Sequence, residues 1–209
     1  MTVLYRLDAP AAAVAERFGA KPGEDPWSGG YCTPGKFAPV ITAGREFVAG
    51  PRPAGGALAP RLVPRVWGVM PPPSAGDRTR LVAGVRNPDS PFWIGNLRNS
   101  EFRCIVPATA FMEWGSETDV EGRRLRHWFT AEDSPILAMA AVWKDEEVPG
   151  FALLSRAAAG LPGELGCRSV PALLPDDEAS RQAWLHGGWG RARDILDRAP
   201  PALIETAAR

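Results

Sequence analysis

Apolar residues fall in short runs separated by turn formers, a pattern that predicts many brief strands and few helices. Residues 2–7, TVLYRL, read as a strand, and the Ala-rich residues 11–18 as a helix, with Pro10 near its start and Gly19 at its end. Residues 21–39 read as loop, with turns at Gly29-Gly30 and Pro34-Gly35, before Val40 and Ile41 resume a strand. The Gly/Pro/Ala-rich residues 50–60 are expected to form a long surface loop, since neither flank looks like a self-sufficient domain. Residues 62–70 form the next expected strand and run into Pro71-Pro72-Pro73, which must be extended. A further strand should end near Arg86-Asn87-Pro88, with Phe92 and Trp93 starting a short helix.

The central stretch is RCIVPATAFMEW, residues 103–114. Its β-rich run Cys104-Ile105-Val106 passes through Pro107 and three small residues to deliver Phe111, Met112, Glu113 and Trp114. A charged hairpin-like region follows at 115–124, then two strands, LRHWFT and PILAMAAVW, the second nearly all apolar and therefore central. Residues 151–155 are a short strand and 157–170 a loop. DDEASRQAWL, residues 176–185, reads as a terminal helix with acids in its first turn, ended by His186 and Gly187-Gly188.

Composition narrows the picture. With 209 residues, 45% of them hydrophobic, one domain over 1–209 is expected, and 22 Pro with 22 Gly disfavour long helices. Lys plus Arg and Asp plus Glu both total 24, so a nucleic-acid partner would need a local basic groove rather than an overall positive field. Cys32, Cys104 and Cys167 lack metal-ligand spacing, and only two His are present to complete a site. They read as reduced thiols in a cytoplasmic protein with no bound metal or cofactor, and a monomer is expected. No apolar run approaches the roughly 20 residues that span a bilayer, and no secretory leader pattern opens the chain. There is no internal repeat and no Walker, GxGxxG or HExxH pattern.

Four positions carry candidate chemistry. Apolar and aromatic neighbours disfavour the charged form of Glu113, which would suit it to proton transfer; the alternative is a strand-end acid with its head in water. Met1 is normally removable before a residue as small as Thr2, whose freed α-amine would be a usable nucleophile at neutral pH. Trp67 is either a stacking platform for a nucleobase or a core residue. Arg86 is either a phosphate clamp or a partner of Asp89 or of backbone carbonyls. His127, flanked by Arg126 and Trp128, reads as structural.

Several segments in order resemble the SOS-response-associated peptidase (SRAP) family, whose members recognise abasic sites in single-stranded DNA. MTVLYRLDAPAAAVAERFG looks like its N-terminal strand and helix, TPGKFAPV its Pro-Gly loop, and VWGVMPPP its Trp-Gly-Leu-Val-Pro element. VRNPDSPFW with RCIVPATAFMEW is the most specific match, and HWFTAEDSPILAMAAVW, PALLP and the last helix follow in the expected order. The resemblance implies an α+β domain with a β-barrel-like core of mostly antiparallel strands, peripheral short helices and a DNA groove. Trp67, Arg86 and Pro34 are its implied DNA contacts. It also implies a chemistry in which an N-terminal cysteine condenses with the ring-opened sugar aldehyde to give a thiazolidine crosslink, assisted by an Asn, a Glu and a His.

Carried over by position, the Glu falls on Glu113, but the other three depart from the pattern. The cysteine is replaced by Thr2, the Asn falls on Gly84, and the His falls on Gly166 or Cys167; Tyr31 and Lys36 replace the usual Asn and Gln near the Pro-Gly loop. A thiol is partly ionised at neutral pH and an alcohol is not. Thr2 would therefore offer a Schiff base and a reversible oxazolidine in place of a stable thiazolidine, and self-cleavage should fail. Three functions follow as expectations. The first is a divergent SRAP protein binding single-stranded or abasic DNA with weakened chemistry, the second a pseudoenzyme serving as a protein-interaction module. The third is an enzyme with chemistry relocated to Glu113 with Cys167 or His127.

Overall fold

The computed structural model describes residues 2–23, 27–44, 58–77 and 79–207. Its centre is β6 (Arg103–Ala108), every residue of which is buried. β6 pairs antiparallel with β9 (Leu137–Lys144) over six positions, from Arg103 opposite Val142 to Ala108 opposite Leu137. On its other edge lies β3 (Phe37–Thr42), itself antiparallel to β4 (Arg61–Trp67). β10 (Gly150–Ala157) pairs parallel with β4 and antiparallel with β9, so the five strands close on themselves. Short β5 (Gly84–Val85) and β11 (Ser169–Pro171) extend from β10, which makes the sheet ring-like rather than a regular barrel. The expected α+β class with mostly antiparallel strands and short helices is what is found.

A second sheet has the order β12-β8-β7-β1-β2. It comprises β1 (Leu4–Leu7), β2 (Gly30–Cys32), β7 (Ala110–Thr118), β8 (Arg124–Ala131) and β12 (Leu203–Thr206). Alternation along β6 explains why both its faces are dry. Ile105 packs with Val14, Leu97 and Trp184 on the helical side, whereas Cys104 and Val106 pack with Tyr5, Phe111 and Phe129 of the second sheet. The helical side is built by α1 (Ala11–Arg17), α2 (Ile94–Arg98), α4 (Glu178–His186) and α5 (Trp189–Leu196). A one-turn helix, α3 (Leu161–Glu164), precedes β11.

Four expectations need correction. The helix at the end of the chain is not terminal: Gly187 and Gly188 separate α4 from α5, and β12 follows to pair with β8. The sequence WGRARDIL of α5 reads as polar, because its burial rests on Ala192 and Ile195, three positions apart on one face. The loops expected at 21–39 and 157–170 contain β2, the start of β3, the one-turn helix α3 and β11; β2 and β11 have three residues each, so their pairing and not their composition defines them. The first strand begins at Leu4 rather than residue 2. Most of the surface loop expected at 50–60 lies outside the described residues.

Candidate functional site

β7 sets the site. Phe111 lies opposite Phe129 in the β7–β8 register, both fully buried with ring centroids 5.6 Å apart. Glu113 is two residues further along the same face, so the row that begins as aromatic core ends in a carboxyl. Glu113 is 3% exposed, and so is Thr2, whose hydroxyl donates to Glu113 Oε1. Thr2 lies before the first ladder position, Leu4, and contacts the acid by its side chain rather than by strand pairing. Burial pushes the Glu113 carboxyl above its ordinary range, and the hydrogen bond from Thr2 offsets part of the rise. Glu113 is thus poised to exchange a proton with Thr2, two residues before β1 begins.

Two further groups face the same region. His127 stands directly opposite Glu113 in the register, and its Nδ1 lies 2.7 Å from Oε1 of Glu205 on β12. Cys167 is buried, and its thiol is pushed up by burial first and by the Glu113 carboxylate second, so it is held as a neutral thiol. Gly166 beside it has φ of +73°, and a Cβ there would lie 2.0 Å from Ser116 Oγ and 2.9 Å from the Ser116 nitrogen. No side chain fits that position, so of the two places onto which a histidine could fall, only Cys167 can carry a group facing the acid. Gly166→Ala is expected to cost at least about 2 kcal/mol, because the left-handed backbone and the collision act together. Urea denaturation of the variant reads this directly.

The other candidates are scattered. Trp67 is fully buried, its Nε1 donating to the Ala83 carbonyl at 2.9 Å, with Tyr5 tilted against it at 5.0 Å and Phe151 parallel at 6.2 Å. It is a core residue rather than a base-stacking platform, since none of its ring is exposed to a base. Arg86 is exposed just past β5, and no hydrogen bond or ion pair ties it to another described residue. The acid suggested for it, Asp89, is instead gripped by Arg193 through two contacts of 3.0 Å. Pro34 is exposed in the turn between β2 and β3, where Gly35 donates to the Trp67 carbonyl at 2.8 Å. Gly84, in β5, offers no side chain to the site.

Sequence reasoning missed a surface on the opposite face of the second sheet. Tyr31, Trp114, Arg126 and Trp128 line a depression of about 700 Å³ there, with Leu4 at its edge. Tyr31 is 50% exposed and Trp114 37%, while Trp128 forms the floor against Tyr31 with centroids 5.7 Å apart. The Arg126 guanidinium lies 6.0 Å from the Trp114 ring centre. The cross-strand pair Trp114–Arg126 was a readable signal only once the β7–β8 register was known.

The model of the SOS response associated peptidase (SRAP) family matches residues 1–206. The chain belongs to that family. Solved structures agree with this SRAP fold. A Bordetella bronchiseptica protein is 19% identical with a TM-score of 0.71, each chain covered to 99%. A Bacteroides thetaiotaomicron protein is 18% identical with a TM-score of 0.72, covering 98% of this chain and 92% of that one. A phage-related protein from Bordetella bronchiseptica is 16% identical with a TM-score of 0.69, covering 99% and 94%. No curated protein matches the chain. Membership makes this SRAP protein one associated with DNA damage, and none of its described helices is long and apolar enough to cross a membrane.

Proposed function

We propose that the protein binds single-stranded DNA and engages the aldehyde of an abasic site reversibly, through the amine of Thr2 in a chain processed to that residue. The observation that carries this reading is the buried contact between Thr2 and Glu113. The Thr2 hydroxyl and a proton-accepting acid with a raised pKa are in direct contact, both almost entirely removed from water, which puts the nitrogen of the same residue beside that acid. The amine attacks the aldehyde carbon to give a Schiff base, and the Thr2 hydroxyl can add to it to close an oxazolidine. An alcohol leaves such a ring more readily than a thiol does, so the adduct is transient.

The partner is supported by the depression around Tyr31 and Trp114, since exposed aromatic faces with an arginine are what a single strand stacks on. Arg86, exposed and paired with no acid among the described residues, adds a phosphate contact. Binding to a single-stranded oligonucleotide is expected to weaken steeply with salt. Trp114→Ala should cost about 1–3 kcal/mol of it, the worth of one stacked base. Negligible binding of every nucleic acid at low salt, measured by fluorescence anisotropy, would leave the protein-interaction module as the better account.

A further inference from the structure

We infer that His127 is the proton-transfer group of the Thr2–Glu113 site, with Glu205 as the residue that positions it. This rests on the aldehyde chemistry proposed above. Neither position onto which the family resemblance carries a histidine supplies an imidazole: Gly166 has no side chain, and Cys167 is a buried thiol whose pKa is pushed up, unsuited to donating protons to an oxygen. The structure supplies an imidazole from a different element. His127 pairs across the strands with Glu113, which puts their Cβ atoms about 4.5–5.5 Å apart on one face.

The ring's orientation is fixed. A carboxylate can only accept, so the 2.7 Å contact with Glu205 places the hydrogen on Nδ1 and leaves Nε2 as the working nitrogen. Gly115, the next residue of β7 on that face, has ordinary backbone torsions, so its conformation does not call for glycine. Its lack of a side chain is required by the imidazole: a Cβ there would lie 2.5 Å from His127 Nε2 and 2.9 Å from the Leu165 carbonyl oxygen. Nε2 therefore lies over the strand immediately beyond Glu113, and no described residue hydrogen-bonds it.

In the reaction, the Thr2 nitrogen bonds to the aldehyde carbon and the ammonium proton passes to the Glu113 carboxylate. The former carbonyl oxygen takes a proton from Nε2 of the His127 imidazolium, the ring keeping its Nδ1 hydrogen toward Glu205. Solvent reprotonates Nε2, and this second proton carries that oxygen away as water and leaves the protonated imine. One acid and one base, on adjacent strands, thereby serve opposite ends of the same condensation.

The test measures borohydride trapping of an abasic single-stranded oligonucleotide by wild type, His127→Ala, Glu205→Gln and a wild-type sample whose Thr2 amine is blocked. His127→Ala is expected to trap about 100-fold more slowly. Its binding of the unmodified oligonucleotide should stay close to wild type, and added imidazole should recover much of the rate. Glu205→Gln should show a smaller loss, since the ring remains but loses its anchor. A His127→Ala variant that traps at the wild-type rate, or a slow one that imidazole fails to revive, overturns the role of His127 while leaving the Thr2 chemistry standing. Wild type that never traps, or traps equally with its amine blocked, overturns the Thr2 chemistry itself and this role with it.

Discussion

Thr2→Cys, processed to residue 2, is expected to form a crosslink with abasic single-stranded DNA that survives denaturing electrophoresis without reduction. Wild type should show a band only after borohydride. The gain in unreduced crosslink should be on the order of 100-fold, because a thiol is a few per cent ionised at neutral pH and intrinsically nucleophilic, whereas an alcohol is neither. The exchange is small in shape, one methyl lost and oxygen replaced by sulfur, at a position already 3% exposed and in contact with Glu113. The neighbouring acid does not defeat the thiol. A carboxylate beside it would raise its pKa, but burial has raised the pKa of Glu113 as well, so the acid takes the thiol proton as attack begins. Equal yields of unreduced crosslink from wild type and variant would mean that position 2 is not where the aldehyde reacts.

What could be read in advance followed from local pattern. RCIVPATAFMEW was legible as the centre because its apolar residues suffice to bury a strand on both faces, and strand alternation places Glu113 in line with Phe111 whatever pairs beside it. Trp67 was ambiguous for the same reason it was noticed: an indole before a stiff proline run suits a stacking platform or a core. Only the partners Tyr5 and Phe151, distant in sequence, decide for the core. Glu205 gave no local signal at all. It sits in a four-residue strand at the end of the chain, 78 positions from the histidine it holds, and its role exists only because β12 pairs with β8. That Gly166 has no room for a side chain likewise rests on a backbone angle and on Ser116, neither of which composition reveals.

Arg103→Met is expected to destabilise the fold by about 3–5 kcal/mol, the largest single-residue loss anticipated outside the site. Arg103 opens β6 fully buried, and its guanidinium donates to three backbone carbonyls: Trp184 at 2.6 Å, Leu97 at 2.7 Å, and Gly187. Those acceptors lie in α2, in α4 and at the glycine ending α4, where carbonyls near helix C-termini lack intrahelical partners and the helix dipoles are negative. Burial lowers the pKa of Arg103 to about 10, which still leaves it charged at neutral pH. Burying that charge is costly, and replacing every polar member of such a cluster by apolar groups can be neutral. Methionine replaces only the donor. The three carbonyls remain in the dry interior, each lost bond leaving a penalty of about 1–3 kcal/mol that is partly shared as the helices relax. Lysine should rescue little, since one compact ammonium cannot span three acceptors that a planar fork reaches at once. Urea unfolding of Arg103→Met and Arg103→Lys distinguishes the two contributions: a loss below about 1 kcal/mol in both would show that α2 and α4 are held to β6 by apolar packing alone.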